Sequence, residues 1–526
     1  MESKAVVMRP LLLAWVAGGL AISVQVALAA PAVGPAPAVM PPPTDRQGSA
    51  ATPSAPSVYA AAAVGETSAA PSAPAAATSA GPTETLLDAL AAAYTTNPSL
   101  LAARAQQRAL DETIPQASGG WKPTVQLQGQ WGETITHSTT RDLNRNEVPP
   151  GSRNDSHPFT YNATITQPLF RGGRTYFGVR QAEHNVRAGR ARLTSTEQQT
   201  LLGVVTAYFN VIRDTATVDL NTNNITVLQR QLDAANDRFR VGEITRTDVA
   251  QAEARLKLAE TQLIQSQANL VASRDAYKTA VGRPPGKLDT SPPLPDLPKT
   301  EDEALGIAKE NSPALTAARE AEKASNDAVK VAVGALLPSV SLQAQSSHSQ
   351  GQGSFGPLTG FGGVYTNSNS ITGQLTVPIY QAGTEYASIR SAKHTASQNR
   401  LLIAQAERDV EENVANAWEQ VRATTAAIAS NQEQVNANKI AYDGVVQEAE
   451  VGSRTTLDVL NAEQELLNSQ VALVQSQRDQ YVAAFSLLSS VGLLTAQQLA
   501  LPVGIYDPTA NTRSLMWKQF WPGAGE

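Results

Sequence analysis

The chain repeats itself, and that repetition limits its folds more than any other feature. QPLFRGG, starting at Gln167, returns as VPIYQAG starting at Val377, a shift of 210 positions. The same shift lays AYFNVIR at Ala207 on AWEQVRA at Ala417, and VGEITRTDVAQAE at Val241 on VGSRTTLDVLNAE at Val451. It also lays AVG at Ala280 on SVG at Ser490. Upstream, NPSLLAAR at Asn97 pairs with SPALTAAR at Ser312, and KPTVQLQ at Lys122 with LPSVSLQ at Leu337, at a shift of 215. The difference of five residues falls between Gln130 and Tyr161, where a surface loop absorbs it. Two long copies of one supersecondary unit must therefore be placed side by side.

Each copy has the same order: a helix, two strands joined by a loop, then two long helices. The strands alternate with period two. Val125, Leu127, Gly129 and Trp131 interleave with Gln126, Gln128 and Gln130; Phe159, Tyr161, Ala163 and Ile165 interleave with Thr160, Asn162 and Thr164. In the second copy Val340, Leu342 and Ala344 alternate with Ser341, Gln343 and Gln345, and Ile371, Leu375 and Val377 with Thr372, Gln374 and Thr376. One apolar face and one neutral polar face fit a lipid-facing barrel with a wet interior. They fit an ordinary half-buried sheet equally well.

The helices narrow the choice. Helical sequence runs from Tyr176 to Arg240 and again from Glu385 to Glu450. A continuous helix of ~65 residues is ~100 Å long, more than a compact domain can bury. The return helix carries a heptad stripe, Val249, Ala252, Leu256, Ala259, Leu263, Ser266, Leu270, Ser273 and Tyr277. Its counterpart reads Val459, Ala462, Leu466, Ser469, Leu473 and Ser476. Steps of three and four with large and small residues alternating predict coiled-coil packing. Four strands cannot close a barrel, and an open edge cannot sit in lipid, so a spanning chain must assemble. Two copies give eight strands and a nearly filled interior; three give twelve and a lumen. Physical argument favours more than two and leaves the number open.

The ends read differently. Lys4 and Arg9 precede an apolar stretch from Leu11 to Val26, and Ala27-Leu28-Ala29 supplies a small-x-small cleavage pattern. Residues 1–29 are thus expected to be a signal peptide rather than a membrane anchor. Residues 30–82 are almost entirely Ala, Pro, Ser, Gly and Thr, which predicts a disordered linker. The expected organisation is then a first repeat at 83–297, a second at 298–493, and a tail at 494–526 on the exterior.

Composition removes several function classes. There is no cysteine, hence no disulfide, Cys-metal site or lipidated N-terminal Cys. The five histidines, His137, His157, His184, His348 and His394, show no helical i, i+4 pair, so no metal site is expected. A net charge of -6 without a basic stripe argues against nucleic acid. GQGSFG, Gly351 to Gly356, satisfies a dinucleotide-binding pattern, but no helix opens after it to cradle a phosphate. No nucleophile elbow, P-loop or HExxH is present, and neither an enzyme nor a cofactor is expected.

The two matched turns remain. In each, a Gly ends one long helix and a Thr-x-x-Asp opens the next, which predicts capping boxes at Thr245 and Thr455. The turns lie at the far end of the helices from the strands, where a tube would have its mouth. Thr247, Asp248, Arg454 and Asp458 could pair there between neighbouring hairpins.

These residues resemble the TolC family of outer-membrane efflux and secretion ducts. The resemblance runs from Thr83 to Gly492 and rests on the duplicated halves, the QPLFRGG/VPIYQAG pair, VGEITRTDV and VGSRTTLDVL. It implies an α+β membrane protein: a homotrimer with a 12-stranded barrel in outer-membrane lipid and a helical tunnel in the periplasm. It also implies docking onto a periplasmic adaptor (membrane fusion protein) and an inner-membrane transporter, with adaptor contacts at Val241, Gly242, Val451 and Gly452. Carried over, Arg454, Thr247 and Asp248 match the bonds that close the family's entrance, and Asp458 matches an acidic ring. The chain departs from that pattern at Asn461, in place of an acid, and at Ala449, in place of a gate tyrosine. The rival reading is a non-spanning periplasmic coiled-coil adaptor or scaffold.

Overall fold

A computed structural model describes residues 83–141, 147–352 and 363–515. The expected signal peptide, the linker, the end of the tail and the tips of both strand-connecting loops lie outside them, as does most of the GQGSFG string.

The first copy opens with α1 (Leu86–Thr96), α2 (Pro98–Asp111) and α3 (Thr113–Ser118). The Asn-Pro opening has a local cause. Asn97 caps α2, its side chain accepting from the Ser99 amide, and Pro98 takes the first helical position, where no amide is needed. Four strands follow: β1 (Thr124–Trp131), β2 (Thr134–Arg141), β3 (Glu147–Ser156) and β4 (Phe159–Arg171). Then come α4 (Arg174–Arg240) and α5 (Arg246–Val281). The second copy holds α6 (Glu301–Asn311), α7 (Pro313–Gly334), β5 (Ser339–Gln352), β6 (Gly363–Thr376), α8 (Thr384–Glu450) and α9 (Thr456–Ser490), before a short α10 (Ala510–Leu515). Ser312 and Pro313 rebuild the α2 cap at α7. The first copy departs from the expected two strands, because β2 and β3 form a separate antiparallel hairpin beyond β1 and β4.

α4 and α8 each contain 67 residues, hence ~100 Å of continuous helix. α4 packs along α5, and α8 along α9. The stripe expected on α5 is buried at Ala252, Leu256, Ala259, Ser266, Leu270, Ser273 and Tyr277. On α9 the stripe turns: Val459, Ser469 and Ser476 are buried, but Ala462, Leu466 and Leu473 are only half-buried, while Leu460, Glu463 and Leu467 are buried instead. The cause is a second neighbour, since α9 also packs on α4.

The sheet runs β1-β4-β5-β6, antiparallel throughout, with β1 and β6 as free edges among the described residues. Register places Val125, Ile165, Ala344 and Ile371 in one row and Trp131, Phe159, Gln350 and Tyr365 in another, all on the same face. That face is bare: Val125, Leu127, Ile371 and Leu375 are 74%, 76%, 78% and 65% exposed. Among the described residues of the protomer no helix or second sheet covers it, as an ordinary half-buried sheet would require. The opposite face, Gln126, Gln128, Thr164, Gln343, Gln345, Thr372 and Gln374, carries amides and hydroxyls, with Arg171 beside Ser339 at the helix end of the sheet.

The main core lies among the helices and belongs to both copies. Leu86, Leu90 and Tyr94 of α1 meet Leu201, Val204, Tyr208 and Phe209 of α4, Tyr277 of α5, and Phe485 and Leu488 of α9. The Tyr208 hydroxyl donates to the carbonyls of Glu84 and Asp289, and Tyr277 donates to Glu84 Oε1 at 2.8 Å. Burial pushes both phenols well above their ordinary range. His184 binds Glu320 at 2.7 Å and ties α4 to α7. Residues after 493 join the same core: Leu494, Ala496 and Leu501 are buried in it, and the Tyr506 amide donates to Tyr94 Oη. Truncation after Leu493 should therefore lower stability by about 3–6 kcal/mol, from two fully buried leucines alone. A thermal melt of the detergent-extracted protein measures it, and an unchanged midpoint would show the segment to be a passive tail.

Candidate functional site

The two helix-helix turns share one geometry because they share one sequence pattern. Gly242 and Gly452 both adopt φ of 79°, the left-handed conformation that glycine enters without steric cost. The amides of Gly242 and Glu243 donate to Phe239 and Arg238 carbonyls, and those of Gly452 and Ser453 to Ala449 and Glu448. This is a Schellman stop, in which the chain folds back to satisfy the last free carbonyls. Thr245 and Thr455 then open α5 and α9 with complete capping boxes. Asp248 Oδ2 accepts from the Thr245 amide and hydroxyl at 2.9 and 2.8 Å, and Asp458 Oδ2 from Thr455 at 3.0 and 2.7 Å. These bonds hold both carboxyls below their ordinary value. At the C-caps themselves, just before each glycine, Val241 and Val451 project into solvent, 78% and 80% exposed.

Arg454 is not brought to Thr247 or Asp248 within the protomer. Its Nε donates to Glu448 Oε2 at 2.8 Å, across its own turn. Thr247 lies exposed in the first turn of α5, and Asp458 lies close enough to Arg454 to feel its charge. Ala449 borders a cleft of about 220 Å³ between the hairpin ends, lined also by Gln231, Arg238, Glu450 and Val459.

Sequence reasoning missed one bond that does join the hairpins: Arg255 Nη2 of α5 donates to Asn461 Oδ1 of α9 at 2.9 Å. The position lacking the family's second acid thus serves as an acceptor for the other hairpin. No repeat signal could have shown it, because the 210-residue shift pairs Arg255 with Glu465 and Asn461 with Gln251. Among the described residues no cluster of His, Cys, Asp or Glu could hold a metal ion, and no helix is long and apolar enough to cross a membrane.

The model of a single family, outer membrane efflux protein, matches residues 89–283 and 304–493, one block in each copy. The chain is 35% identical to outer membrane efflux protein BepC of Brucella suis biovar 1 (strain 1330) over 437 residues, covering 83% of this chain and 91% of the relative. It is 24% identical over 407 residues to outer membrane protein TolC of Vibrio cholerae, covering 77% of this chain and 89% of the relative. Its fold matches the crystal structure of the Campylobacter jejuni CmeC outer membrane channel with a TM-score of 0.65 at 16% identity, over 82% of this chain and 89% of that one. The two family blocks fall on the two copies of the repeat, each carrying antiparallel strands and a long helical hairpin: the chain belongs to the outer membrane efflux protein family.

Proposed function

We infer that this chain is one protomer of a passive outer-membrane duct that exports small molecules, proteins or both. It is a channel of the outer membrane with its helices on the periplasmic side, and it is not an enzyme. The observation that carries the assembly is the bare sheet. An apolar face stacked across four strands and open at β1 and β6 is stable only if lipid covers the face and other copies pair the edges. Trp131, Phe159 and Tyr365 share one register row, as an aromatic belt at a bilayer surface does. On that face the apolar side chains run from Trp131 and Phe159 to Val125 and Ile165 on β1 and β4, and from Ala344 and Ile371 to Val340 and Leu375 on β5 and β6, where Ser346, His348, Asn367 and Asn369 occupy the rows nearer Tyr365. Three copies close twelve strands around a lumen; two leave almost none. The inner face, amides and hydroxyls along most of its length, would pass cargo of either sign.

The turns are then the periplasmic entrance. Val241-Gly242 and Val451-Gly452 would present apolar knobs to a periplasmic adaptor, which links the duct to an inner-membrane transporter. Thr247, Asp248, Arg454 and Asp458 would hold the entrance closed across neighbouring hairpins. The non-spanning adaptor reading is not supported, because it leaves the bare sheet unexplained and the family is one of channels. The double variant Arg454→Ala/Asp248→Ala is expected to conduct more than the native protein in a planar bilayer. Loss of the Asp248 capping bond should cost only about 1 kcal/mol per copy. Unaltered conductance in a folded double variant would remove these residues from the gate.

A further inference from the structure

The two hairpins carry the same acid at the same place in opposite surroundings. Glu253 of α5 and Glu463 of α9 are related by the 210-residue shift, each five residues past its capping aspartate. Glu253 is exposed. Glu463 is 6% exposed, and its Oε2 is buried without a hydrogen-bond partner. The difference comes from the second neighbour of α9. One turn towards the tip, Leu460 is buried among Leu228 and Ala235 of α4 and Ala252, Leu256 and Ala259 of α5. One turn the other way, Leu467 is buried too.

The groups around this seam do not neutralise the carboxylate. From α8 comes Tyr442, hydrogen-bonded to Gln231 of α4 and beside Asp443. From α5 comes Arg255, turned to Asn461. Arg230 and Arg238 of α4 and Glu450 of α8 line the adjoining cleft with Val459. Burial is the one cause acting on the Glu463 carboxyl, and it pushes the group up to about 7.

We propose that Glu463 is a proton-operated wedge in the seam between the two hairpins: neutral, it lets α9 seat against α4 and α8; ionised, it loosens that packing near the turns. The proposal rests on the reading of the turns as the duct's entrance, which it makes responsive to periplasmic pH. In the packed seam the acid binds its proton more tightly than an exposed glutamate, whose ordinary value is about 4.3. The packed state therefore holds more protons, and its stability falls as pH rises. The loss begins near the ordinary value, grows until pH is about 7, and is level above. Its upper limit is about tenfold in the opening equilibrium per pH unit within that window.

Amide hydrogen exchange of residues 460–470 in the full-length, detergent-extracted protein reads the seam directly, after correction for intrinsic rates. Protection should fall between pH 5.5 and 7 and level off above. Glu463→Gln should hold high protection at every pH, whereas Glu253→Gln should keep the native profile. A flat native profile overturns the proposal whether or not any variant folds, and so does a Glu463→Gln profile that still bends near pH 7. Bilayer conductance separates the two readings. Conductance with flat protection leaves the duct and removes the wedge; pH-dependent protection without conductance keeps the wedge and removes the entrance.

Discussion

Ile371→Arg is expected to abolish assembly, while Thr372→Arg, one residue along the same strand, should be tolerated. Ile371 sits midway along β6 on the bare face, 78% exposed and in register with Ala344, Ile165 and Val125. If that face meets lipid, an arginine at mid-depth costs about 2–4 kcal/mol per copy, and every copy in the barrel bears it. Thr372 pairs with Gln343 and points to the other face, where a guanidinium would meet water. A semi-native gel of membrane-extracted protein should lose its heat-modifiable oligomer band for Ile371→Arg and keep it for Thr372→Arg. The surviving variant should also shift the reversal potential towards anions, since the native face around Thr372 carries only amides and hydroxyls. Equal behaviour of the two variants would show that the faces have been assigned to the wrong solvents.

Gly172→Ala should be strongly destabilising, and the repeat supplies its own control. Gly172 and its counterpart Ala382 both take positive φ, 61° and 50°, in the turn between the last strand and the long helix. A left-handed backbone is thus compatible with alanine here, at about 1–2 kcal/mol. Space distinguishes the two. A Cβ on Gly172 would come within 2.3 Å of the Gly334 carbonyl oxygen and 2.8 Å of Leu337 Cβ, whereas Ala382 is exposed. Backbone cannot retreat as a flexible side chain can, so overpacking of about 1–3 kcal/mol adds to the conformational cost. Gly172→Ala should therefore destabilise by about 2–5 kcal/mol, and Ala382→Gly should be neutral or mildly stabilising. Chemical denaturation of each variant measures this. A small loss for Gly172→Ala would mean that α7 shifts freely from the turn.

The two helix-helix turns divide what was legible in the sequence from what was not. The capping boxes were legible because Thr and Asp three apart decide them among themselves. The partner of Arg454 was not, because several acids stand within reach and only coordinates pick Glu448. Arg255 and Asn461 meet across 206 positions without any matching pattern in the two copies.

By itself the sequence determined the two copies, the ends of the long helices to within about two residues, the helix stops and starts at each turn, and the α5 stripe. All of these depend on residues within a few positions of one another: a glycine at positive φ, a capping hydroxyl, an apolar residue every third or fourth place. Only the tertiary structure decided that the apolar sheet face is bare, that residues after 493 complete the core of α1 and α4, and that Glu463 is buried while Glu253 is not. The same acid acquired opposite environments partly because its flanks differ, Leu460 and Leu467 in α9 against Ala250 and Lys257 in α5, and partly because burial depends on what arrives from a distant part of the chain. α9 has α4 as a second neighbour on the face that buries Glu463, and Glu253 of α5 has no such cover.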